Sequence, residues 1–341
     1  MEEKGESRIT RRKFIKSTGG ALMLASLGTG ALASLGACGT STSPSESTTS
    51  SGGKTMQKRV LGKTGEKLSI IGFGGIIVCG MEQANANAIV REAIDRGINY
   101  FDVAPSYFNG EAEQKLGIAL EGVRKNVFLA CKTLKRKKED AVKELRESLK
   151  TLRTDHFDLY QLHSMSTKED LQQAIGPGGA IEAFAEAKQQ GLVRYLGFSA
   201  HSAEIALELM DKFDFDSVLF PINWVCSLNA NFGPQVIEKA QAKGMGRLAL
   251  KAMAKTVWSN EEEKKEYPKC WYKPVTDPEE ANLALRFTLS EPITAAIPPG
   301  DERLFRVAMD IASDFKPLTE AERENLKQKA AGLKPIFSLG G

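Results

Sequence analysis

The chain has 341 residues, 42% of them hydrophobic and 26% charged, which suffices for one large folded domain or two ordinary ones. Its formal net charge is only +3, and residues 1–37, with six basic and three acidic side chains, account for all of it. The remainder is formally neutral and contains no basic tract, which argues against a nucleic-acid partner and favours a small molecule.

The first 37 residues have the pattern of a targeting segment and are set apart from the fold. Arg11 and Arg12 precede Lys13-Phe-Ile-Lys16, and an uncharged, moderately apolar stretch continues to Ala37. This pattern resembles a twin-arginine export signal, which implies the twin-arginine translocase as a partner and a periplasmic or cell-envelope location. A basic cytosolic tail and an uncleaved membrane helix are the alternatives, and the glycines of the stretch weaken the second.

Cys38 ends the sequence Leu35-Gly36-Ala37-Cys38, which resembles a bacterial lipoprotein cleavage box. Lipidation of Cys38 is therefore one expectation, and ordinary cleavage beside it is the other. Residues 38–56 are rich in Ser, Thr and Gly and predict a flexible linker that separates the fold from a membrane. The four remaining cysteines form no C-x-x-C pair, and with three histidines in the chain no metal-site spacing appears.

Residues 57–341 alternate between short apolar runs and helical patterns. A hairpin signal lies at 62–65. Eight β-like runs follow, at 70–74, 99–102, 127–132, 157–163, 193–199, 217–221, 247–251 and 293–298. Helical patterns occupy 84–96, 111–121, 139–152, 181–190, 203–211, 234–243, 278–289 and 303–313, and a further helix is predicted at 319–331.

Eight such units predict an α/β fold, a (β/α)8 TIM barrel with an N-terminal β-hairpin and an extra C-terminal helix. The main alternative is a doubly wound sheet. That fold would carry a G-x-G-x-x-G phosphate turn after its first strand, and Gly72-Phe-Gly74-Gly75 lacks this spacing.

Four polar side chains follow or end three successive strands of this pattern. Asp102 ends one strand, with Tyr107 in the loop after it; Lys132 and His163 end the next two. Because the strand ends of a parallel barrel meet at one rim, we expect these four to converge. Taken one at a time, such residues are usually loop anchors or structural groups.

Together, the four residues suit the reduction of a carbonyl group by hydride transfer. Tyr107 would protonate the new alkoxide, and the Lys132 ammonium would lower the pKa of the phenol toward neutrality. Asp102 would hold Lys132 charged and in place. His163 would donate a hydrogen bond that orients the substrate oxygen.

Several motifs then resemble those of the aldo-keto reductases over about residues 57–311. They are Phe101-Asp102-Val-Ala-Pro-Ser-Tyr107, Ala130-Cys-Lys132-Thr133, Asp158-Leu-Tyr-Gln-Leu-His163 and Gly197-Phe-Ser199. The resemblance implies a barrel enzyme that reduces aldehydes and ketones with NADPH, less often NADH, and without a metal ion. The family's catalytic tetrad falls on Asp102, Tyr107, Lys132 and His163.

The resemblance also implies cofactor contacts. Gly74 and Gly75 would let the backbone approach the nicotinamide, and Ser199 and Asn223 would contact its carboxamide. The neighbouring family positions depart from the pattern, since they hold Ala200 and Leu219.

The adenosine-phosphate loop corresponds to the segment with Gly300 and Arg303. A cation at a helix start there favours NADP(H) over NAD(H), although Asp301 and Glu302 are adjacent. Lys251, after the seventh strand, is an additional rim cation that faces cofactor or substrate, or else solvent.

A long aromatic-rich stretch follows the seventh strand, from 252 to 277. It contains Trp258, Tyr267, Trp271 and Tyr272. Long loops in compact domains are commonly functional, so we expect this stretch, with Trp258, to border the substrate pocket together with Trp224.

The sequence leaves two functions open and excludes a third. The first is an exported NAD(P)H-dependent oxidoreductase acting on a small carbonyl or alcohol. The second is a cofactor-binding redox sensor or accessory subunit of a membrane-associated partner with little turnover. A serine hydrolase is excluded because Gly197-Phe-Ser199-Ala-His201 lacks the second glycine of a nucleophile elbow.

Overall fold

The computed structural model describes residues 56–339. The export segment, Cys38 and nearly all of the linker predicted from the sequence lie outside the described residues. Within 56–339, none of the helices combines the length and apolar character needed to span a bilayer.

The strands lie close to their predicted positions. They are β1 (Lys58–Val60), β2 (Lys67–Ser69), β3 (Phe73–Gly74), β4 (Tyr100–Asp102), β5 (Phe128–Thr133), β6 (Phe157–Met165), β7 (Val193–Ala200), β8 (Ser217–Pro221), β9 (Gly246–Leu250), β10 (Ala254–Thr256), β11 (Lys273–Pro274) and β12 (Ala295–Ile297). The short antiparallel pair β10–β11 lies inside the stretch expected to be a loop.

Helices separate the strands. They are α1 (Gln83–Asp95), α2 (Glu111–Ala119), α3 (Lys138–Thr151), α4 (Lys168–Ile175), α5 (Ala180–Gln189), α6 (Ala203–Lys212), α7 (Trp224–Ala230), α8 (Pro234–Ala242), α9 (Glu261–Lys264), α10 (Pro278–Ser290), α11 (Glu302–Ser313) and α12 (Glu320–Ala330). The sequence pattern missed α4, α7 and α9, although Thr167 and Asn260 are readable N-caps of α4 and α9.

Eight parallel strands form the barrel predicted from the sequence. Their order is β3-β4-β5-β6-β7-β8-β9-β12. A parallel bridge between Ile71 and Ala296 joins the two edges, and the Gly72 backbone N–H donates to the Ala296 carbonyl at 2.9 Å. The (β/α)8 fold is confirmed.

The N-terminal hairpin closes one end of the barrel. Leu61 and Leu68 belong to the apolar cluster that fills the barrel interior, together with residues such as Leu159 and Leu248. Gly62 lies against β9, because a Cβ there would come within 2.3 Å of the Gly246 backbone nitrogen. The opposite rim, formed by the carboxyl ends of the strands, is left open for chemistry.

Candidate active site

Parallel pairing places the polar strand ends side by side. β4 pairs with β5, with Asp102 opposite Ala130, and β5 pairs with β6, with Lys132 opposite Gln161. Along β5, Ala130 belongs to the interior cluster and Cys131 to the outer core, so the alternation of a strand directs Lys132 into the barrel.

Lys132 and Asp102 form a buried ion pair at the centre of the site. Their side chains are 1% and 3% exposed, and the Lys132 ammonium donates to Oδ1 of Asp102. The other carboxylate oxygen accepts hydrogen bonds from Gln161 Nε2 at 3.2 Å and from the Tyr100 hydroxyl at 3.3 Å. Asp102 is therefore fixed by three donors.

The sequence pattern predicts no role for Gln161 or Tyr100. Strand alternation could have indicated both residues. Tyr100 lies two positions before Asp102 on β4, and Gln161 lies two positions before His163 on β6. Residues two apart on a strand share a face, so each lies on the same face as a predicted site residue.

Tyr107 stands over this pair in the loop after β4. The Lys132 Nζ atom is 4.9 Å from the centroid of the Tyr107 ring. Phe108, Asn109 and Gly110, which come directly after it, all have left-handed backbones, with φ of 49°, 53° and 87°. Such conformations are uncommon for non-glycine residues and concentrate at functional sites.

His163 completes the group from the end of β6. Its ring lies edge-on to that of Tyr107, with centroids 5.6 Å apart and an interplanar angle of 85°. Leu162 and Met165 pair with Phe198 and Ala200, so His163 and Ser164 stand opposite a single residue of β7. This β-bulge turns the His163 side chain at the rim. The structure thus brings Asp102, Tyr107, Lys132 and His163 together.

Burial and charge set the protonation of the site. Burial acts to lower the pKa of Lys132, but Asp102 and Tyr107 outweigh it and hold that pKa above its ordinary value. Burial raises the pKa of the Tyr107 phenol, and the Lys132 ammonium acts in the opposite direction. The ammonium therefore acts in the expected direction, but burial outweighs it and leaves the pKa of Tyr107 above its ordinary value.

His163 is held as a neutral imidazole. Burial lowers its pKa well below the ordinary value, and the Lys132 charge adds to this effect. A neutral ring keeps one N–H donor at neutral pH, as the expected hydrogen bond to a substrate oxygen requires.

A cleft opens beside the phenol. Of the expected cofactor residues, Gly74, Lys251 and Gly300 line it together with Tyr107. Packing explains why glycine is needed at Gly75 and Gly300, two of the expected cofactor positions. A Cβ on Gly75 would lie 2.8 Å from Val103 Cγ2, and one on Gly300 would lie 2.5 Å from Ile76 Cγ2.

Two other expected cofactor residues are engaged elsewhere and do not line this cleft. The Ser199 hydroxyl accepts from the Ser164 backbone N–H at 2.8 Å. The Asn223 side chain is buried and caps α7, because its oxygen accepts from the Cys226 N–H at 3.0 Å.

Arg303 lies at the first turn of α11. Its guanidinium donates to the Asp301 carboxylate and to the Glu266 carbonyl, and it lies 4.5 Å above the centre of the Tyr267 ring. Asp301 itself caps α11 by accepting from the N–H groups of Arg303 and Leu304.

The aromatic residues that line the cleft are only part of those expected. Trp224 is fully buried, and the Trp258 indole N–H donates to the Cys270 carbonyl at 2.8 Å, so neither lines the cleft. Trp271 and Tyr272, from the same long segment, do so. The β10–β11 pairing decides which part of that segment faces the rim, and sequence composition carries no such information.

Four cysteines lie within residues 56–339. Cys79, Cys131, Cys226 and Cys270 are buried free thiols. Among residues 56–339, no group of three or more His, Cys, Asp or Glu side chains is placed to hold a metal ion.

Comparisons with known proteins identify the family. The model of the aldo/keto reductase family matches residues 71–295. The uncharacterized oxidoreductase YqkF of Bacillus subtilis is 28% identical over 300 residues, which cover 80% of this chain and 96% of that protein. L-galactose dehydrogenase of Arabidopsis thaliana is 24% identical over 320 residues, which cover 83% and 96% of the two chains.

Solved structures agree in fold. The holo form of aldo-keto reductase AKR11C1 from Bacillus halodurans superposes with a TM-score of 0.65 at 25% identity, covering 82% of this chain and 98% of that one. A Klebsiella pneumoniae aldo-keto reductase in complex with NADPH gives a TM-score of 0.64 at 19% identity. The match covers 84% of this chain and 99% of that one.

The parallel barrel with a buried ion pair, a phenol and an imidazole on one rim defines a barrel enzyme. The chain belongs to the aldo/keto reductase family. It is an oxidoreductase of the general class that reduces carbonyl groups with a nicotinamide cofactor.

Proposed function

We propose that this protein reduces an aldehyde or ketone, or oxidises the corresponding alcohol, by hydride transfer with Tyr107 as the general acid and NADP(H) as the cofactor. One observation carries the proposal: the buried Lys132–Asp102 pair lies beneath the Tyr107 ring, and His163 meets that ring from the side.

Each of the four residues then has one task. The nicotinamide, when bound, supplies or accepts the hydride. The Tyr107 hydroxyl donates its proton to the substrate oxygen, where negative charge builds up. Lys132 stabilises the phenolate that remains, and Asp102 keeps Lys132 positioned and protonated. Neutral His163 donates a hydrogen bond to the same oxygen.

The cleft suits an extended, negatively charged dinucleotide. It runs from Asp102 and Tyr107 to Gly300 and includes the side chains of Lys251 and Lys269. Beyond Gly300, α11 begins. Its N-terminal end favours an anionic group, and the Asp301 carboxylate already accepts from two of its N–H groups.

We favour NADP(H) over NAD(H) because the Arg303 side chain, although paired with Asp301, is 54% exposed at this helix start, where a phosphate has access to it. Arg303→Ala is expected to lower the ratio of kcat/KM for NADPH to that for NADH. A wild-type preference for NADH would contradict the choice.

The decisive experiment follows the oxidation of NADPH with a panel of aldehydes. Tyr107→Phe is expected to lower kcat by about 100-fold or more, since it removes the proton donor. Tyr195→Phe is the matched control, because its hydroxyl contacts Glu66 at the hairpin end of the barrel. Full activity of Tyr107→Phe would contradict the mechanism.

A cofactor-binding sensor is the second candidate. The capping role of Asn223, and the apolar side chains of Ala200 and Leu219, leave fewer polar groups for a carboxamide. Tight NADPH binding by the wild type, with no turnover on any aldehyde or alcohol, would favour the sensor.

We also propose export by the twin-arginine route, with a lipid on Cys38 as the only membrane attachment. This route carries folded proteins, so the barrel would leave the cytoplasm with its cofactor bound and would recycle it by coupling two substrates. Mass spectrometry of protein from the native host tests this through the mature N-terminus, the mass of Cys38 and the retained nucleotide. An intact Met1 would contradict cleavage and lipidation at Cys38, and localisation of the protein to the cytoplasm would contradict export.

A further inference from the structure

The end of β6 departs from regular strand geometry at His163. Pairing with β5 ends at Leu162, which stands opposite Thr133, and pairing with β7 is interrupted between Leu162 and Met165. Within the described barrel, His163 and Ser164 therefore lie outside the regular ladders on both sides. Ser164 also has a φ of 56°, in the left-handed region that serine rarely adopts. Such a conformation persists only where its surroundings hold it in place.

Two buried side chains contact the backbone groups of this bulge. The Arg136 guanidinium donates to the His163 carbonyl at 2.7 Å, and the Ser164 backbone N–H donates to the Ser199 hydroxyl at 2.8 Å. Arg136 is 7% exposed and Ser199 is 1% exposed. The hydrogen bond from Arg136 is of the stronger kind, because its donor is charged and water has little access to it.

Arg136 is itself fixed from several sides. It lies in the segment between β5 and α3, and its guanidinium lies 3.2 Å from the Asp170 carboxylate of α4. The same guanidinium donates to the Thr133 carbonyl at 3.4 Å. Thr133 directly follows Lys132, so one buried cation joins the strand ends that carry Lys132 and His163.

The direction of the His163 ring depends on this bulge. The ring meets that of Tyr107 edge-on, with centroids 5.6 Å apart, and it has to donate to the same oxygen that Tyr107 protonates. A displacement of about 1 Å is enough to lower a rate about 100-fold. Without the contact at the His163 carbonyl, the bulge would relax and the ring would move from this position.

We infer that Arg136 is a positioning residue, which acts through His163 by holding the bulge that directs the imidazole toward the substrate oxygen. The inference rests on the proposed reductase function, in which His163 donates to that oxygen. The alternative is a purely structural role for Arg136, as a buried ion pair that stabilises the fold, and the experiment separates the two.

The test measures NADPH oxidation with 4-nitrobenzaldehyde, glyceraldehyde and methylglyoxal. Arg136→Met is expected to lower kcat about 10- to 100-fold and to leave the Kd for NADPH within about threefold, because a misplaced His163 affects the reacting oxygen and not the cofactor. Arg136→Lys is the second variant. It keeps a cation beside Asp170, but an ammonium does not reproduce the planar fork that contacts two carbonyls, so we expect a smaller loss of kcat in the same direction.

A double-mutant cycle shows whether Arg136 acts through His163. In His163→Ala protein the group to be positioned is absent, so adding Arg136→Met is expected to change kcat by less than about twofold. A merely structural effect would instead lower kcat by the same factor in both backgrounds.

Arg286→Met is the matched control for loss of a buried arginine. The Arg286 side chain is 13% exposed, pairs with Glu322 at 2.6 Å and donates to two backbone carbonyls just before α12. Its removal is expected to lower the midpoint of thermal unfolding, as Arg136→Met does, but to leave kcat unchanged.

The outcomes separate the inference from the proposed function. The inference is overturned if kcat of both Arg136 variants stays within about twofold of the wild type, if the loss is equal in the His163→Ala background, or if only the Kd for NADPH changes. If Arg136→Met does not fold, Arg136→Lys decides by the same criteria. Each of these results leaves the reductase function standing. No turnover of any aldehyde by the wild type with either nucleotide overturns the proposed function itself.

Discussion

Asp102→Asn measures how strongly the buried ion pair stabilises the site. The side chains of Lys132 and Asp102 are 1% and 3% exposed, so solvent cannot replace the lost charge. Asparagine keeps the volume and an acceptor for Gln161 and Tyr100, and the change is therefore mainly electrostatic. Leaving one partner of a buried pair uncompensated costs about 3–5 kcal/mol of the free energy of unfolding.

The difference between variant and wild type also depends on pH. The folded-state pKa of wild-type Lys132 lies above 10.5, so its stabilisation is complete below that pH and is lost only as the pH rises through the folded-state pKa. Without Asp102, burial lowers this pKa, and the variant gains stability as the pH rises toward about 10.5. We therefore expect the difference in free energy of unfolding between wild type and Asp102→Asn to become smaller between about pH 7 and about pH 10.

Urea unfolding, monitored by tryptophan fluorescence at several pH values, gives the loss of stability in Asp102→Asn and its dependence on pH. Asp310→Asn is the control, since that carboxylate is 72% exposed in its pair with Arg96 and is expected to contribute at most about 1 kcal/mol. If Asp102→Asn costs no more than Asp310→Asn, or if its cost does not change with pH, the electrostatic argument is refuted.

Two further predictions concern stability alone. Burial raises the pKa of Glu113 above 4.5, so its folded state loses stability as the pH rises from about 4.5 through that pKa. Glu113→Gln should remove this loss of stability. Urea unfolding at two pH values measures it for both proteins, and an equal change in the free energy of unfolding with pH for variant and wild type would contradict the prediction. Gly62→Ala should cost about 3 kcal/mol, because its φ is 51° and the Cβ would meet the Gly246 nitrogen at 2.3 Å. Gly65→Ala, also left-handed but with nothing within 4 Å, should cost about 1 kcal/mol, and equal costs would show that packing against β9 is unimportant.

Local sequence pattern was sufficient for the barrel strands. Apolar runs and helical periodicity are properties of neighbouring residues, so Ser217–Pro221 was predicted at its observed bounds and other strands within a few residues. The tetrad was readable for a related reason. Each of its residues ends or follows a strand, and parallel strands place those ends on one rim.

The use of individual side chains depended on distant contacts. The Asn223 side chain carries the polar groups that a cofactor contact needs, but in the fold it caps α7. Trp258 and Trp271 belong to one segment, and only the pairing of β10 with β11 decides which of them faces the cleft.

The sequence by itself determined the order of strands and helices, the barrel class and the four side chains at its rim, because these follow from short-range periodicity and strand direction. Only the tertiary structure decided that Tyr107 has a raised pKa and that Gln161 and Tyr100 hold Asp102. Burial and charge compensation depend on atoms far apart along the chain, and residue order alone does not specify their distances.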